Sequence, residues 1–328
     1  MKKPAMCAVA ITARSTRFLF AMLALVAAVI GSGAALSNSV TVRDAAGREV
    51  AVADASRIVA IGGAVTEILY ALGLSDRIVA IDTTSLFPTS ALKEKPNVGY
   101  MRALSAEGVL GLNPSLVLAI DGAGPKETVA VLEQATVPFV RVPDRYTGNG
   151  ILEKVRMIAD VAGAHDRGAC IADKVAADLD ALAGLRAKVT QPKRVLFVLS
   201  LLNGKPMVAG RNTAADGIIK LAGGVNAMDA YEGYKQIADE AVIAAGPDTV
   251  LVMRRQQDNL DAATVFSLAA FTMTPAATAK SFIAMEGLYL LGFGPRTASA
   301  ARDLATTLYP SIARESLPSE QSGTDCRQ

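Results

Sequence analysis

Residues 104–118 read LSAEGVLGLNPSLVL, and residues 237–251 read IADEAVIAAGPDTVL. In both stretches a glutamate, Glu107 or Glu240, lies seven residues before a proline, and an apolar run follows. This spacing predicts a short helix, a proline turn and then a buried strand, and Ser105 is suited to cap the first helix. Because the pattern returns along the chain, the sequence indicates two similar halves.

Apolar runs with the length of strands alternate with helical patterns through both halves. Such alternation predicts an α/β fold with two Rossmann-like lobes, whose mostly parallel sheets are covered by helices on both faces. Residues 40–52 alternate in polarity around a turn at Ala46 and Gly47, which predicts a short hairpin before the first lobe. The predicted buried strands are residues 57–61, 77–82, 116–120, 137–142, 194–199 and 250–253.

Residues 149–190 carry no strand pattern. Leu152, Val155 and Ile158 recur at helical spacing, and the pattern resumes at Ile171 after a break at residues 163–168. We therefore predict two successive helices that join the lobes, the second a long one, and permit only a limited hinge motion. The chain then divides into a signal peptide (1–35), an N-terminal α/β lobe (40–148), a helical linker (149–190), a C-terminal α/β lobe (191–310) and a polar tail (311–328).

Length and composition fit a globular protein with large cores. The chain has 328 residues, of which 51% are hydrophobic and 20% are charged, and this is enough for two lobes. The formal net charge is +2, and the sequence has no block of lysines and arginines of the kind that binds a nucleic-acid backbone. Nucleic acid is therefore not an expected partner.

The N-terminus has the pattern of an export signal. Lys2, Lys3, Arg14 and Arg17 precede the apolar run 18–30, and the small residues 31–35 follow it. The run has 13 residues, which is short for a membrane span, although a retained anchor is the alternative. We expect a cleaved signal peptide and a periplasmic protein with a formal net charge of −2.

Two cysteines, Cys170 and Cys326, remain after the predicted signal, and no cysteine at the junction marks a lipoprotein. A disulfide between them is possible in an oxidising compartment, but Cys326 lies in the predicted polar tail and nothing requires the bond. We expect no structural disulfide.

Enzyme chemistry finds little support in the sequence. The only histidine, His165, falls in the predicted helix break, where a solvated turn residue is expected, and no Cys/His spacing suits a metal. The Gly62-Gly63 turn lacks the remaining residues of a phosphate-binding loop. In contrast, Arg254 and Arg255 follow the apolar strand 250–253, at the sheet edge where ligands of α/β proteins bind. Arg255 is a candidate ligand contact there, with a surface arginine as the plainer alternative.

Five motifs carry a resemblance to a known family. The chain resembles the periplasmic haem-binding proteins of bacterial haem-uptake ABC transporters, part of a group of helix-linked two-lobe carriers that also includes siderophore and cobalamin carriers. The similarity runs from about Asp44 to Leu308. The motifs are VGYMR at 98–102, LSAEG at 104–108, VAGRNTAAD at 208–216, EGYK at 232–235 and GLYLLGFGPR at 287–296.

The resemblance implies haem as the transported ligand, bound in the cleft between the lobes, with Tyr100 as the axial ligand of the iron. Ferric iron favours an anionic oxygen, and tyrosinate is an established haem ligand. A phenol needs a nearby cation or the iron itself to ionise at neutral pH. In the family an arginine of the opposite lobe has this role, and the matching position is Arg255. Arg102 matches a basic position suited to a haem propionate.

One departure concerns the second iron ligand. Some relatives add a histidine after the first strand of the second lobe, where this chain has residues 200–204 and no histidine. Five-coordinate iron on Tyr100 alone is therefore expected.

The resemblance also implies partners. A glutamate on each lobe docks onto arginines of an inner-membrane ABC permease in this group, and Glu107 and Glu240 match these positions. The alternative reading is a carboxylate that stabilises the first turn of a helix. We expect a monomeric carrier without enzymatic activity, with an outer-membrane haem receptor system upstream. A ferric siderophore or cobalamin carrier is the alternative, and an α/β enzyme a distant one.

Overall fold

The computed structural model describes residues 39–254, 260–316 and Cys326. The first lobe contains a separate antiparallel hairpin and a four-stranded parallel sheet with the order β4-β3-β5-β6. Its elements are β1 (Val40–Arg43), β2 (Glu49–Val52), β3 (Ile58–Ile61), α1 (Gly63–Ala71), a 3-10 turn (Ser75–Arg77), β4 (Ile78–Ile81), α2 (Ala91–Glu94), α3 (Ala106–Leu110), β5 (Leu116–Ile120), α4 (Lys126–Gln134) and β6 (Phe139–Val142).

The central strands β3 and β5 are buried along their whole length. Successive side chains point to opposite faces, so Ile58 and Ala60 pack into one cluster, whereas Val59 and Ile61 pack into another. Burial on both faces explains why these strands read as continuous apolar runs, as parallel strands covered by helices do. The predicted hairpin and the four predicted strands of this lobe are confirmed.

Two helices connect the lobes, as predicted. They are α5 (Gly148–Val161) and α6 (His165–Lys188). The Thr147 hydroxyl accepts a hydrogen bond from the Gly150 N–H at 3.1 Å and caps α5, and Gly163 adopts a left-handed φ of 67° in the turn between the helices. His165 is the exposed first residue of α6, close to Asp160. The histidine is thus solvated, as expected, but it begins a helix.

The second lobe contains a six-stranded mixed sheet with the order β10-β8-β7-β11-β12, and β9 pairs with β7. Strands β9 and β11 pair with β7 in parallel, and β12 pairs with β11 in parallel, whereas β8 is antiparallel to both of its neighbours, β7 and β10. The elements are β7 (Arg194–Leu202), β8 (Lys205–Ala209), α7 (Ala214–Leu221), β9 (Val225–Asn226), β10 (Tyr234–Gln236), α8 (Asp239–Ala245), β11 (Thr249–Arg254), α9 (Ala262–Phe266), α10 (Ala269–Thr272), α11 (Pro275–Thr278), β12 (Phe282–Glu286), α12 (Gly287–Leu291), α13 (Thr297–Leu308) and α14 (Pro310–Ser316).

One apolar cluster runs through both lobes and the linker. It contains Leu118 of the first sheet, Ile158 of α5, Leu182 of α6 and Phe197 of the second sheet, all nearly inaccessible to solvent. The outer faces of the sheets have smaller clusters of their own. Because the lobes share a continuous core, relative motion is limited by the packing of the linker helices.

Two expectations for the C-terminus are wrong. Residues 310–316 form α14 and not part of a polar tail, and Ala313 is only 3% exposed because the helix packs against α6 and α13. Cys170 of α6 and Cys326 form a disulfide with a Cα–Cα distance of 5.9 Å, where no structural disulfide was expected. Among residues 39–254 and 260–316, no helix combines the length and apolar character that crossing a bilayer requires.

We predict that replacing Cys170 and Cys326 by serine lowers the free energy of unfolding by about 2–5 kcal/mol, because the bond restricts the unfolded chain. The two cysteines are 156 residues apart, so the bond closes a long loop. Urea unfolding of the oxidised protein, the reduced protein and the double serine variant provides the measurement. The reduced protein should match the variant, and equal midpoints for all three would contradict the prediction.

Candidate ligand-binding cleft

A cavity of about 1600 Å³ lies between the two lobes. Gly62, Thr83, Asp121 and Asp144 line its first-lobe wall, and each follows the carboxyl end of one of the strands β3 to β6. The second-lobe wall contains the last residues of β11 and β12. Ligands of α/β sheets bind beyond the carboxyl ends of the strands, so the topology of both lobes points to this cleft.

The loop between α2 and α3 places Tyr100 on the cleft wall. The Val98 N–H donates to the Ile81 carbonyl oxygen and the Thr83 N–H donates to the Gly99 carbonyl oxygen, both at 2.9 Å, so the loop is tied to the end of β4. Gly99 has a φ of 91°, a conformation that favours glycine. Tyr100 has a large aromatic side chain yet is 44% exposed, and it lines the cavity.

Arg102 lies beside the Tyr100 hydroxyl. Its Nη1 donates a hydrogen bond to Tyr100 Oη at 2.8 Å, and both residues line the cleft. The predicted ligand residue and the predicted propionate contact are therefore direct partners of each other.

Two further tyrosines meet at this point of the cleft. Burial raises the pKa of Tyr146, and the neighbouring Asp144 carboxylate raises it further. Burial also raises the pKa of Tyr234, a residue of the second lobe, while Arg102 opposes the rise. The Tyr234 oxygen is also stabilised by hydrogen bonds with Thr213 and with the backbone of Ala215 at the start of α7, which lower its pKa. Arg102 of the first lobe thus acts electrostatically on a tyrosine from each lobe.

Tyr234 belongs to the EGYK motif at 232–235, and no site role was predicted for it. Its strand β10 pairs with β8, and Tyr234 stands opposite Ala209 in that register. The motif could have marked Tyr234 as a candidate site residue, but only the antiparallel pairing of β10 with β8 brings it to the cleft wall.

Of the two arginines at the end of β11, only Arg254 is among the residues that the structure describes. Arg254 is exposed and lines the cleft, whereas Arg255, the predicted opposite-lobe cation, lies outside the described residues. Glu286 is the Cα partner of Arg254 in the register, but its carboxylate accepts the N–H groups of Leu288 and Tyr289 at 2.9 and 2.7 Å. Among the described residues, Arg254 has no ion-pair partner.

Glu107 and Glu240 lie outside the cleft. Both are exposed and occupy the first turns of the short helices α3 and α8, one on each lobe. The Ser105 side chain accepts a hydrogen bond from the Gly108 N–H at 3.2 Å, which confirms the predicted cap of α3.

The carboxylates at the strand ends have structural partners. Asp82 is inaccessible to solvent and accepts hydrogen bonds from Gly62 N–H, Thr84 N–H and hydroxyl, and the Ser85 hydroxyl. Asp144 pairs with the buried Lys154. Within the described part of the chain, no group of three or more His, Cys, Asp or Glu side chains is placed to hold a metal ion.

Comparisons with known proteins give the class of this chain. Residues 58–287 match the family described as periplasmic binding protein, and the chain belongs to that family. Its structure is similar to that of the periplasmic heme-binding protein RhuT from Roseiflexus sp. RS-1, with a TM-score of 0.74, 38% identity and coverage of 79% of this chain and 100% of that one.

Two further relatives differ in their ligands. A periplasmic heme-binding protein from Pseudomonas aeruginosa is 30% identical, with a TM-score of 0.71 and coverage of 78% of this chain and 93% of that chain. A vitamin B12-binding protein from Vibrio campbellii is 27% identical over 209 residues, which are 62% of this chain and 73% of the relative. The chain is therefore a periplasmic substrate-binding protein in a group with more than one ligand.

We predict that Arg102→Met raises the pKa of Tyr234 above its wild-type value, because the lost positive charge no longer stabilises the phenolate. Carbon NMR of the tyrosine Cζ atoms over an alkaline titration measures the midpoint, and Tyr234→Phe identifies the signal. The control is Arg145→Met, which removes an exposed arginine paired with Glu153. An unchanged or lower Tyr234 midpoint in Arg102→Met would contradict the assigned interaction.

Proposed function

We propose that this chain binds haem in the cleft between its lobes and delivers it to an inner-membrane ABC permease. The observation that carries the proposal is the Tyr100 hydroxyl, exposed on the cleft wall and hydrogen-bonded at 2.8 Å by Arg102. Tyrosinate is an axial ligand of ferric haem, because ferric iron prefers an anionic oxygen, and the hydrogen bond from the Arg102 guanidinium fixes the position of the Tyr100 oxygen. Two relatives described as heme-binding, with 38% and 30% identity, support the proposal.

The size and lining of the cleft fit a large, amphipathic ligand. Its volume of about 1600 Å³ exceeds the roughly 300–1,000 Å³ of pockets for drug-sized ligands. Apolar side chains from both lobes offer contacts to the faces of a porphyrin, and Arg254 offers a cation to a propionate. These apolar lining residues include Leu86, Met101, Ile120, Leu199, Met207, Met253 and Leu288.

The iron is expected to be five-coordinate. Some relatives are expected to have a histidine as the second iron ligand in the region where Ser200 of this chain lines the cleft. The single histidine of this chain is His165. His165 begins α6 on the surface and does not line the cavity. Under this proposal the protein is a monomeric, exported carrier that releases its ligand unchanged, with an outer-membrane haem receptor system upstream.

A cobalamin or ferric siderophore carrier is the second candidate, favoured by the similarity to vitamin B12-binding proteins and by the size of the cleft. The cobalt of cobalamin brings its own axial ligands, and a siderophore encloses its iron. In either case Tyr100 would make no bond to a metal.

We predict that hemin added to the purified protein gives a high-spin ferric Soret spectrum, and that Tyr100→Phe abolishes or shifts it because the phenolate oxygen is removed. Tyr234→Phe is the matched control, since this cleft tyrosine has its oxygen engaged at the start of α7. Parallel titrations with cyanocobalamin and a ferric siderophore complete the experiment. Saturable binding of one of these, without any hemin spectrum, would replace haem by the second candidate.

For the permease, we propose that Glu107 and Glu240 dock onto basic residues, one glutamate on each lobe. We predict that Glu107→Lys or Glu240→Lys lowers hemin uptake in cells at least about tenfold, because the reversed charge repels the partner, while hemin binding by the purified protein is unchanged. Glu127→Lys is the control, since Glu127 is exposed in the first turn of α4. Equal uptake by all three variants would rule out this docking role.

A further inference from the structure

The segment 292–296, which joins α12 to α13 in the second lobe, is held against the first lobe by a buried carboxylate. Glu67 of α1 is only 4% exposed. Its Oε1 accepts the Arg296 N–H at 3.2 Å, and its Oε2 accepts Arg296 Nη2 at 2.9 Å. One first-lobe side chain therefore binds both the backbone and the guanidinium of a second-lobe residue.

Aromatic rings extend this contact. The Arg296 guanidinium carbon lies 3.6 Å from the ring centroid of Phe87, in the first lobe, and 5.3 Å from that of Tyr289, in α12 of the second lobe. Cations over aromatic faces at such distances are attracted by the ring. Phe87, Tyr289 and Arg296 all line the cleft, so these interlobe contacts form part of its wall.

A second polar contact holds the same segment to the linker. Lys154 of α5 is inaccessible to solvent, and its Nζ donates to Asp144 Oδ1 at 2.6 Å and to the Phe293 carbonyl oxygen at 3.2 Å. The buried Phe293 ring also packs edge to face against Tyr146, with 5.2 Å between centroids. The segment is thus fixed at both ends by groups outside the second lobe.

We propose that Glu67, Arg296 and Phe87 form an interlobe clamp that sets the spacing of the lobes at this wall of the cleft and slows ligand exchange. Removal of one partner of a buried ion pair leaves an uncompensated charge, so the lobes lose a strong constraint when Glu67 is neutralised. Motion then becomes available through the linker helices. The effect on lobe spacing is independent of the ligand, whereas the effect on exchange rests on the proposed haem-binding function.

Lobe spacing tests the first part without any ligand. Spin labels at Val131→Cys and Ile243→Cys, two exposed positions on α4 and α8, report the interlobe distance in the exported protein, whose own two cysteines are joined in the disulfide. Glu67→Gln should broaden the distance distribution or shift it by a few ångström. The control is Glu153→Gln, which removes the charge of an exposed carboxylate that lies 2.8 Å from Arg145. Distributions that coincide with the wild type in Glu67→Gln would overturn the clamp.

Two further variants guard against a folding defect. Phe87→Ala removes the stacking partner at an exposed position and leaves no buried charge unpaired, so a smaller broadening is expected. Glu67→Gln combined with Arg296→Gln removes both charges. The double variant should broaden the distribution as Glu67→Gln does, and a return to the wild-type distribution would show that only the unpaired charge had disturbed the lobes, which overturns the clamp.

Hemin release tests the second part. Transfer of hemin to excess apomyoglobin should be about tenfold faster from Glu67→Gln, while the Soret spectrum stays unchanged because Tyr100 and Arg102 both lie in the first lobe. Release at the wild-type rate overturns the control of exchange. If the wild type binds no hemin, the proposed function fails, and the distance distributions still decide the clamp.

Discussion

The structure depends on one constraint, the apolar core that both lobes share with the linker helices. Leu118, Ile158, Leu182 and Phe197 belong to a single buried cluster, although they come from two sheets and two linker helices. Because that core is continuous, the carboxyl ends of the two sheets are held on facing walls, and a cavity of about 1600 Å³ remains between them. The cleft is therefore a consequence of how the lobes are joined, and the loops after the strands only supply its chemistry.

Local patterns in the sequence predict most of the fold. Strands buried on both faces have continuous apolar runs, and the linker helices repeat their apolar residues at helical spacing, so both could be predicted. The antiparallel part of the second sheet was missed although its signal is local: Asn203 and Gly204, with φ values of 53° and 76°, form the two-residue turn that reverses β7 into β8. The disulfide could not be predicted, since it depends on where Cys326 lies relative to α6.

The residues of the site could be predicted from the sequence in part, but the contacts between them could not. Tyr100 and Arg102 are two positions apart on one loop, so a family motif could place both, but their hydrogen bond depends on how that loop is tied to β4. Two interactions join residues from different lobes. One is the electrostatic effect of Arg102 on Tyr234, and the other is the ion pair between Glu67 and Arg296. No spacing along the chain encodes such contacts, because packing of the whole linker decides them.

If the ligand is haem, the charges in the cleft determine how the porphyrin is oriented. Ferric porphyrin carries one net positive charge, which a tyrosinate balances, and this leaves the two propionates. Arg102 is hydrogen-bonded to Tyr100 and Arg296 is paired with Glu67, so both cations already have partners inside the cleft. Among the described arginines of the cleft, Arg254 is the one whose side chain makes neither a hydrogen bond nor an ion pair with another described residue, and it is exposed. Burial of a charge without a partner is costly. The propionate edge should therefore face the exposed side near Arg254, with the apolar faces of the ring turned inward.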